Sequence, residues 1–361
     1  MVADFSIEEW FESRSSLLDA FLQRRGWAGT PLMPVGEDCG FRRYFRLQKD
    51  NKSVLLMEAV PDGHPNATQG HRMDDFVRLS AYLRDIGLHA PEVYDVDYEQ
   101  GYMLLEDFGD TSFKLALDGG MDRDEIYALA TDALLHLYQR SSQKDVALDE
   151  FKGSYLDKAK QRIVEWYLPV YTQSKTDPAL VDEYNKIWDD LAATLPPCPQ
   201  GFVHADFHFE NLMWVDGEEG LSRVGVLDYQ GALKGALAYD LGNLLEDARV
   251  DVPEDLRQRM LARFCAGMSA EEEQTFRAWY RFYATQFHCR LMGQFVRLAV
   301  NDKKPRYLQF LPRVAGYLRE GLKDPLMTPL ADWLKAQGLV FDDVPEFDHI
   351  AAAQYINDGA Y

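Results

Sequence analysis

Near residue 110 the hydrophobic pattern of this chain changes period, and that change restricts the fold more than any other feature. Upstream, Phe41 to Leu47 and Ser53 to Val60 read as strands separated by the polar turn Gln48-Lys49-Asp50-Asn51-Lys52. A helix is expected over Met73 to Ile86, where Phe76, Val77, Leu79, Leu83 and Ile86 recur at helical spacing and Gly87 stops it. Val93 to Val96 and Tyr102 to Leu105 read as further strands. Downstream, Asp124 to Gln139, Tyr155 to Thr172, Pro178 to Thr194 and several segments from Glu254 onward keep the helical period. The expectation is an α+β chain with a small β-rich N-terminal lobe, residues 1–108, and a large mostly helical lobe, residues 109–361. A length of 361 residues suits two lobes better than one core.

Composition narrows the function classes. The net charge of −21 repels nucleic acid phosphates and anionic lipid over most of the surface, so neither is an expected partner. An anionic substrate such as ATP would need a local basic patch or metal ions. No run approaches the roughly 20 apolar residues that span a bilayer. Asp4, Glu8 and Glu9 stand where an export signal carries positive charge, so the expected compartment is the cytoplasm. Cys39, Cys198, Cys265 and Cys289 form no C-x-x-C pair and fit reduced, structural thiols.

The most specific signal is His204-Ala205-Asp206-Phe207-His208-Phe209-Glu210-Asn211, an H-x-D-x-x-x-x-N pattern. Two short apolar pieces follow, Asn211 to Val215 and Arg223 to Leu227, joined by the turn Asp216 to Gly220, and then Asp228. Phosphoryl transfer needs a carboxylate beside the attacking hydroxyl and oxygen ligands for magnesium on the phosphates. Asp206 would take the hydroxyl proton, and Asn211 and Asp228 would hold Mg2+. Taken singly, these residue types also cap turns and end strands. A second reading makes His204 and His208 metal ligands of a hydrolase, but no further His or Cys clusters nearby in sequence.

At these residues the sequence resembles the aminoglycoside-phosphotransferase and choline-kinase-like superfamily. It is most similar to the branch of N-acetylmuramate/N-acetylglucosamine anomeric kinases. That branch is matched by Gly40-Phe41-Arg42-Arg43-Tyr44-Phe45-Arg46, by Gly225-Val226-Leu227-Asp228-Tyr229-Gln230-Gly231-Ala232, and by Arg290-Leu291-Met292-Gly293-Gln294-Phe295-Val296-Arg297-Leu298. The resemblance implies a bilobal protein-kinase-like fold. It also implies ATP and Mg2+ as cofactors, a small amino sugar as partner, and a sugar 1-phosphate as product in peptidoglycan recycling. A kinase of another hydroxyl, such as an aminoglycoside, choline or homoserine, is the alternative within the class. A nucleotide-binding regulator with weak activity is the alternative outside it.

The resemblance also distributes roles. Kinases carry a strand lysine for the phosphates, yet Ser53 to Ala59 contains none. The charge would come from Arg42, Arg43 or Arg46, beside the expected nucleotide loop Gly36 to Gly40, with a structural role for at least one of them equally open. The backbone of Glu106 to Phe108 is the adenine-contact candidate, and Asp240 is expected to support the catalytic loop. His208, Tyr229 and Gln230 are candidates for substrate or phosphate. Arg290 and Arg297 lie seven residues apart on one helix face, where either would meet an acidic substituent such as the lactyl carboxylate of N-acetylmuramate or simply face solvent. Trp166, Trp279 and Tyr283 would stack on a sugar or belong to the core.

Overall fold

A computed structural model of the chain describes residues 7–36, 42–65, 67 and 72–361. Phe41, Cys39 and most of the expected nucleotide loop lie outside the described residues. The first elements are α1 (Ile7–Glu12), α2 (Ser15–Arg24), β1 (Met33–Pro34), β2 (Arg42–Lys49), β3 (Lys52–Ala59), α3 (Met73–Asp85), β4 (Val93–Asp97), β5 (Tyr102–Glu106) and α4 (Phe113–Asp118). Then come α5 (Arg123–Ser141), β6 (Asp149–Glu150), α6 (Tyr155–Lys158), α7 (Leu168–Thr172), α8 (Pro178–Thr194), β7 (Gln200–Val203), β8 (Leu212–Trp214), β9 (Val224–Val226) and β10 (Leu233–Ala236). The chain continues through α9 (Ala238–Leu245), α10 (Glu254–Cys265), α11 (Ala270–Val300), α12 (Leu311–Gly321) and α13 (Thr328–Ala336). Among the described residues no helix is long and apolar enough to cross a membrane.

Two compact units result: Met1–Gly120 with Glu210–Gly231, and Met121–Phe209 with Ala232–Tyr361. In the first unit an antiparallel sheet runs β1-β2-β3-β5-β4. The β2–β3 turn is tighter than the sequence pattern suggests. Asp50 and Asn51 alone make it, with φ of 52° and 61°, and Lys49 pairs with Lys52. Two left-handed residues give the turn whose twist matches the flanking strands, and Asp and Asn tolerate that conformation. Helix α2, absent from the sequence expectation, packs Leu18, Phe21 and Leu22 against Leu47, Leu56, Tyr102 and Leu104 of the sheet. Burying each such side chain stabilises the fold by about 2 kcal/mol.

The β8–β9 hairpin belongs to this first unit, whereas the sequence pattern put it among the helices. Three contacts hold it there. The Trp214 amide donates to the Thr111 carbonyl at 2.8 Å, and the Val226 amide to the His89 carbonyl at 2.8 Å. Gly225 lets the Phe108 ring lie on the hairpin, since a Cβ there would stand 2.6 Å from the ring.

In the second unit a short sheet, β6-β10-β7, is set among helices. Helix α11 is its longest, starting with a capping box between Ser269 and Glu272 that satisfies two amides. The helix expected over Tyr155 to Thr172 is broken into α6, a 3-10 turn at Ala159–Gln161, a π-helical turn at Ile163–Tyr167, and α7. Pro169 has no N–H to return to Glu165, and the hydrogen-bond ladder slips just before it.

Candidate active site

Strand β7, paired antiparallel with β10, delivers the loop that starts at His204. Ala205 takes a φ of 78°, a conformation costly for alanine and one that must be held from outside. Asp240, buried at the start of α9, does this: its two carboxylate oxygens accept from the His204 amide at 2.7 Å and the Ala205 amide at 2.9 Å. One helical turn on, Asn243 Nδ2 donates to the Ala205 carbonyl at 3.1 Å. Burial pushes the Asp240 carboxyl up to about 7, against the pull of the two amides. His204 Nδ1 accepts from the Asp206 amide at 3.3 Å and the ring stands edge-on to Phe207, so that nitrogen braces the loop.

The loop presents Asp206 with its side chain 43% exposed and His208 Nε2 3.5 Å away. Surrounding protein opposes ionisation of Asp206. The charge and hydrogen bond of His208, then Arg290 and Arg249, outweigh that, and its carboxyl sits well below the usual carboxylate range. Arg290 reaches the loop from α11 and hydrogen-bonds the buried Tyr239 hydroxyl at 2.8 Å. Asp206 and His208 therefore come together in the second unit with Arg290 close enough to act on Asp206 electrostatically.

Asn211 and Asp228 lie at the open end of the hairpin in the first unit. The Asn211 carbonyl accepts from the Leu227 amide at 2.9 Å, one residue before Asp228. Asp228 itself has a φ of 60°. Gln230 Nε2 donates to Asp228 Oδ1 at 2.5 Å, so Gln230 fixes this carboxylate. The same unit holds Glu106 at the end of β5, its carboxylate engaged by His89 Nε2 at 3.0 Å and Arg84 at 3.2 Å. His89 Nδ1 also meets the Ser222 carbonyl, which ties the end of β5 to the hairpin.

Several sequence expectations change. Arg43 points to the face covered by the N-terminal helices, where it pairs with buried Glu58 and lies over Phe11 at 4.1 Å. Arg46 Nε and Nη2 chelate Asp107 at 2.7 and 2.9 Å, while Nη1 reaches Asp110 at 2.8 Å. Both guanidinium groups are neutralised within the sheet unit, and a phosphate role is withdrawn for them. Arg42 sits opposite Ala59 in register. The Tyr229 ring is fully buried against Phe76 of α3, at 5.1 Å between centroids, so it is core rather than a substrate contact. The Phe108 side chain is likewise core, and only its backbone stays a nucleotide candidate. Trp279 and Tyr283 stack on each other at 5.6 Å and line a cavity of about 610 Å³ whose lining does not include Asp206. Sequence reasoning missed Asn243, Arg249 and Arg162; only Asn243, three residues after Asp240, carried a signal, through their shared helix face.

Residues 31–279 match the model of the Phosphotransferase enzyme family. The chain belongs to that family. As a phosphotransferase it is an enzyme, and its class is that of the kinases. An N-acetylmuramate/N-acetylglucosamine kinase of Caulobacter vibrioides is 30% identical over 347 residues, covering 89% of this chain and 95% of that protein. A Pseudomonas aeruginosa protein of the same name is 30% identical, with coverage of 88% and 93%. Among solved structures, aminoglycoside phosphotransferase APH(4)-Ia superposes with a TM-score of 0.53 at 14% identity, covering 85% of this chain and 99% of that one. ADP-bound aminoglycoside phosphotransferase APH(2'')-Ib also gives 0.53, at 14% identity and coverages of 84% and 96%. These likenesses establish the protein-kinase-like fold of this phosphotransferase.

Proposed function

We propose that this phosphotransferase moves the γ-phosphate of ATP onto the anomeric hydroxyl of N-acetylmuramate or N-acetylglucosamine. The observation that carries the reading is 30% identity, across 89% of the chain, to a kinase of that name. The geometry supports it through Asp206. A hemiacetal hydroxyl is more acidic than an ordinary alcohol, and a carboxylate kept ionised by His208 and Arg290 accepts its proton late in the transfer. Asp240 and Asn243 act as positioning residues, because they hold the backbone that aims Asp206.

Asn211 and Asp228 would hold Mg2+. Their donors are one amide oxygen and one carboxylate, and among the described residues no group of three His, Cys, Asp or Glu could enclose a metal. That sparse oxygen set suits magnesium completed by phosphate and water, while the hydrolase reading on His204 and His208 is disfavoured because His204 Nδ1 is taken by the Asp206 amide. When bound, the ion supplies charge neutralisation on the phosphates.

The test is an ADP-release assay with ATP and magnesium against N-acetylmuramate, N-acetylglucosamine, choline and kanamycin, with phosphorus NMR on the product. A sugar 1-phosphate is expected. Turnover of choline or kanamycin alone would reject the amino sugar, and no turnover with any acceptor would favour a nucleotide-binding regulator. Asp228→Asn should raise the magnesium concentration needed for half-maximal rate at least tenfold, the usual scale for losing a metal contact.

A further inference from the structure

Three arginines of the helical unit converge along about two turns of α11. Arg290 and Arg297 stand on one face of the helix, and between them Gln294 Oε1 accepts from Arg162 Nη1 at 2.6 Å. Gly293 makes that approach possible, since a Cβ there would lie 2.0 Å from the Arg162 carbonyl oxygen. Arg162 immediately precedes the π-helical turn Ile163–Tyr167, a distortion that recurs at functional sites because it re-aims side chains.

The charges in this cluster are poorly compensated. Among the described residues neither Arg162 nor Arg290 forms an ion pair with a side-chain carboxylate; their hydrogen-bond partners are Gln294, a main-chain oxygen of Tyr361, the last residue of the sequence, and the Tyr239 hydroxyl. Among the described residues Arg297 has one ion pair, to Asp302 at 3.4 Å, and the buried Nε atoms of Arg290 and Arg297 have no hydrogen-bond partner. Burial, then the charges of Arg290 and Arg297, lower the Arg162 pKa to about 10. Glu165, whose charge acts on Arg162, is itself pushed toward its neutral form by burial and accepts from the Tyr361 amide at 3.0 Å and Gln161 at 3.2 Å. Half-buried like charges are costly, and a protein with a net charge of −21 has carboxylates available to pair with them. Here they are left for something else.

We propose that Arg162, Arg290 and Arg297 form an anion subsite that takes the carboxylate of an acidic acceptor sugar while its reacting hydroxyl lies at Asp206. The proposal rests on the kinase reading above and deepens it, because N-acetylmuramate carries a carboxylate and N-acetylglucosamine does not. Arg290 links the two ends, being close enough to Asp206 to lower its pKa. Guanidinium forks bind carboxylates through paired N–H donors. Around the subsite, Tyr361 lays its ring over the Arg162 guanidinium at 5.1 Å, and its main-chain oxygen accepts from Arg162 Nε at 3.4 Å and Trp166 Nε1 at 2.9 Å. The 3.4 Å contact is weak enough for a carboxylate to displace.

The experiment measures binding and turnover separately for N-acetylmuramate, its methyl ester and N-acetylglucosamine, with the wild-type chain, Arg162→Met, Arg162→Lys and Arg297→Met. Calorimetry on the wild type should show the acid binding at least about tenfold more tightly than its ester, the scale of a charge-assisted hydrogen bond. Arg162→Met and Arg297→Met should shrink that ratio toward one, with Arg162→Lys between. Equal binding of acid and ester by the wild type, or no sugar binding, would overturn the subsite. A ratio unchanged in all three variants would also overturn it, and a variant that fails to fold leaves the decision to the wild-type comparison. Carboxylate-dependent binding without phosphorylation of any of the sugars would instead overturn the kinase reading and leave the subsite standing.

Discussion

Arginine is used in two ways in this protein. In the sheet unit, Arg43 and Arg46 each face a carboxylate that is almost wholly buried, Glu58 and Asp107, with side-chain exposures of 1% and 4%. In the helical unit, Arg162 and Arg290 have no side-chain carboxylate among their hydrogen-bond partners in the described residues, which are Gln294, a main-chain oxygen of Tyr361 and the Tyr239 hydroxyl. The first pattern neutralises charge so that a strand can pack. The second keeps charge available, beside the carboxylate proposed as the proton acceptor. Within one acidic chain, the partner rather than the residue type separates a structural arginine from a binding one.

The largest effect expected from breaking this comparison is at the carboxylate the unpaired arginines serve. Asp206→Ala should lower kcat by about 1,000-fold or more, the upper range for loss of a proton acceptor, while the melting temperature stays within a few degrees. A variant of normal rate would remove Asp206 from its role. Next comes Arg46→Met, which strands buried Asp107 and should cost about 3 kcal/mol in denaturant unfolding with kcat little changed. Arg290→Met should behave in the opposite way, losing roughly 10- to 100-fold in kcat/KM with little loss of stability. If Arg290→Met unfolded the protein as Arg46→Met does and left the rate intact, the contrast between the two sets would fail.

The smallest effect sharpens the comparison through pH. Burial raises the Glu58 pKa above its unfolded value, against the opposing pull of Arg43. Such a group contributes its stability below the unfolded value of about 4.3 and loses it as pH rises through the folded value. Arg43→Met removes the opposing charge and should deepen the loss of stability as pH rises above about 4.3 by about 1 kcal/mol, read from thermal melts. Asp107 has the opposite sign. Its pKa is lowered despite burial, through Arg46, Ser53 and the Gly109 amide, so its contribution is present above about 3.9 and lost only as pH falls.

Much of the fold was legible because its signals are local. Helix α8 runs over Pro178–Thr194 as the apolar spacing has it, and α3 ends where Gly87 follows. Helix α2 is the exception: it is ten residues long, its Leu18, Phe21 and Leu22 repeat at helical spacing only briefly, and their burial against the sheet, a tertiary contact, is what holds it. The catalytic loop was legible in its residue types. Its support by Asp240 was expected through the family resemblance, and the structure supplies the reason in the strained Ala205 backbone. Tyr229 was misjudged because adjacency to Asp228 in sequence says nothing about direction; its ring points into the sheet unit's core.

By itself the sequence determined most of the strands and helices and the proposed set Asp206, Asn211 and Asp228, because periodicity and motif spacing are properties of neighbouring residues. Only the tertiary structure decided which arginines are paired. Arg43 finds Glu58 across a strand pair, Arg46 finds Asp107 from the end of β5, and Arg162 meets Gln294 across 132 positions of chain through the close approach that Gly293 allows. Charge compensation acts through space over a few ångströms, and the order of residues along a chain does not fix those distances.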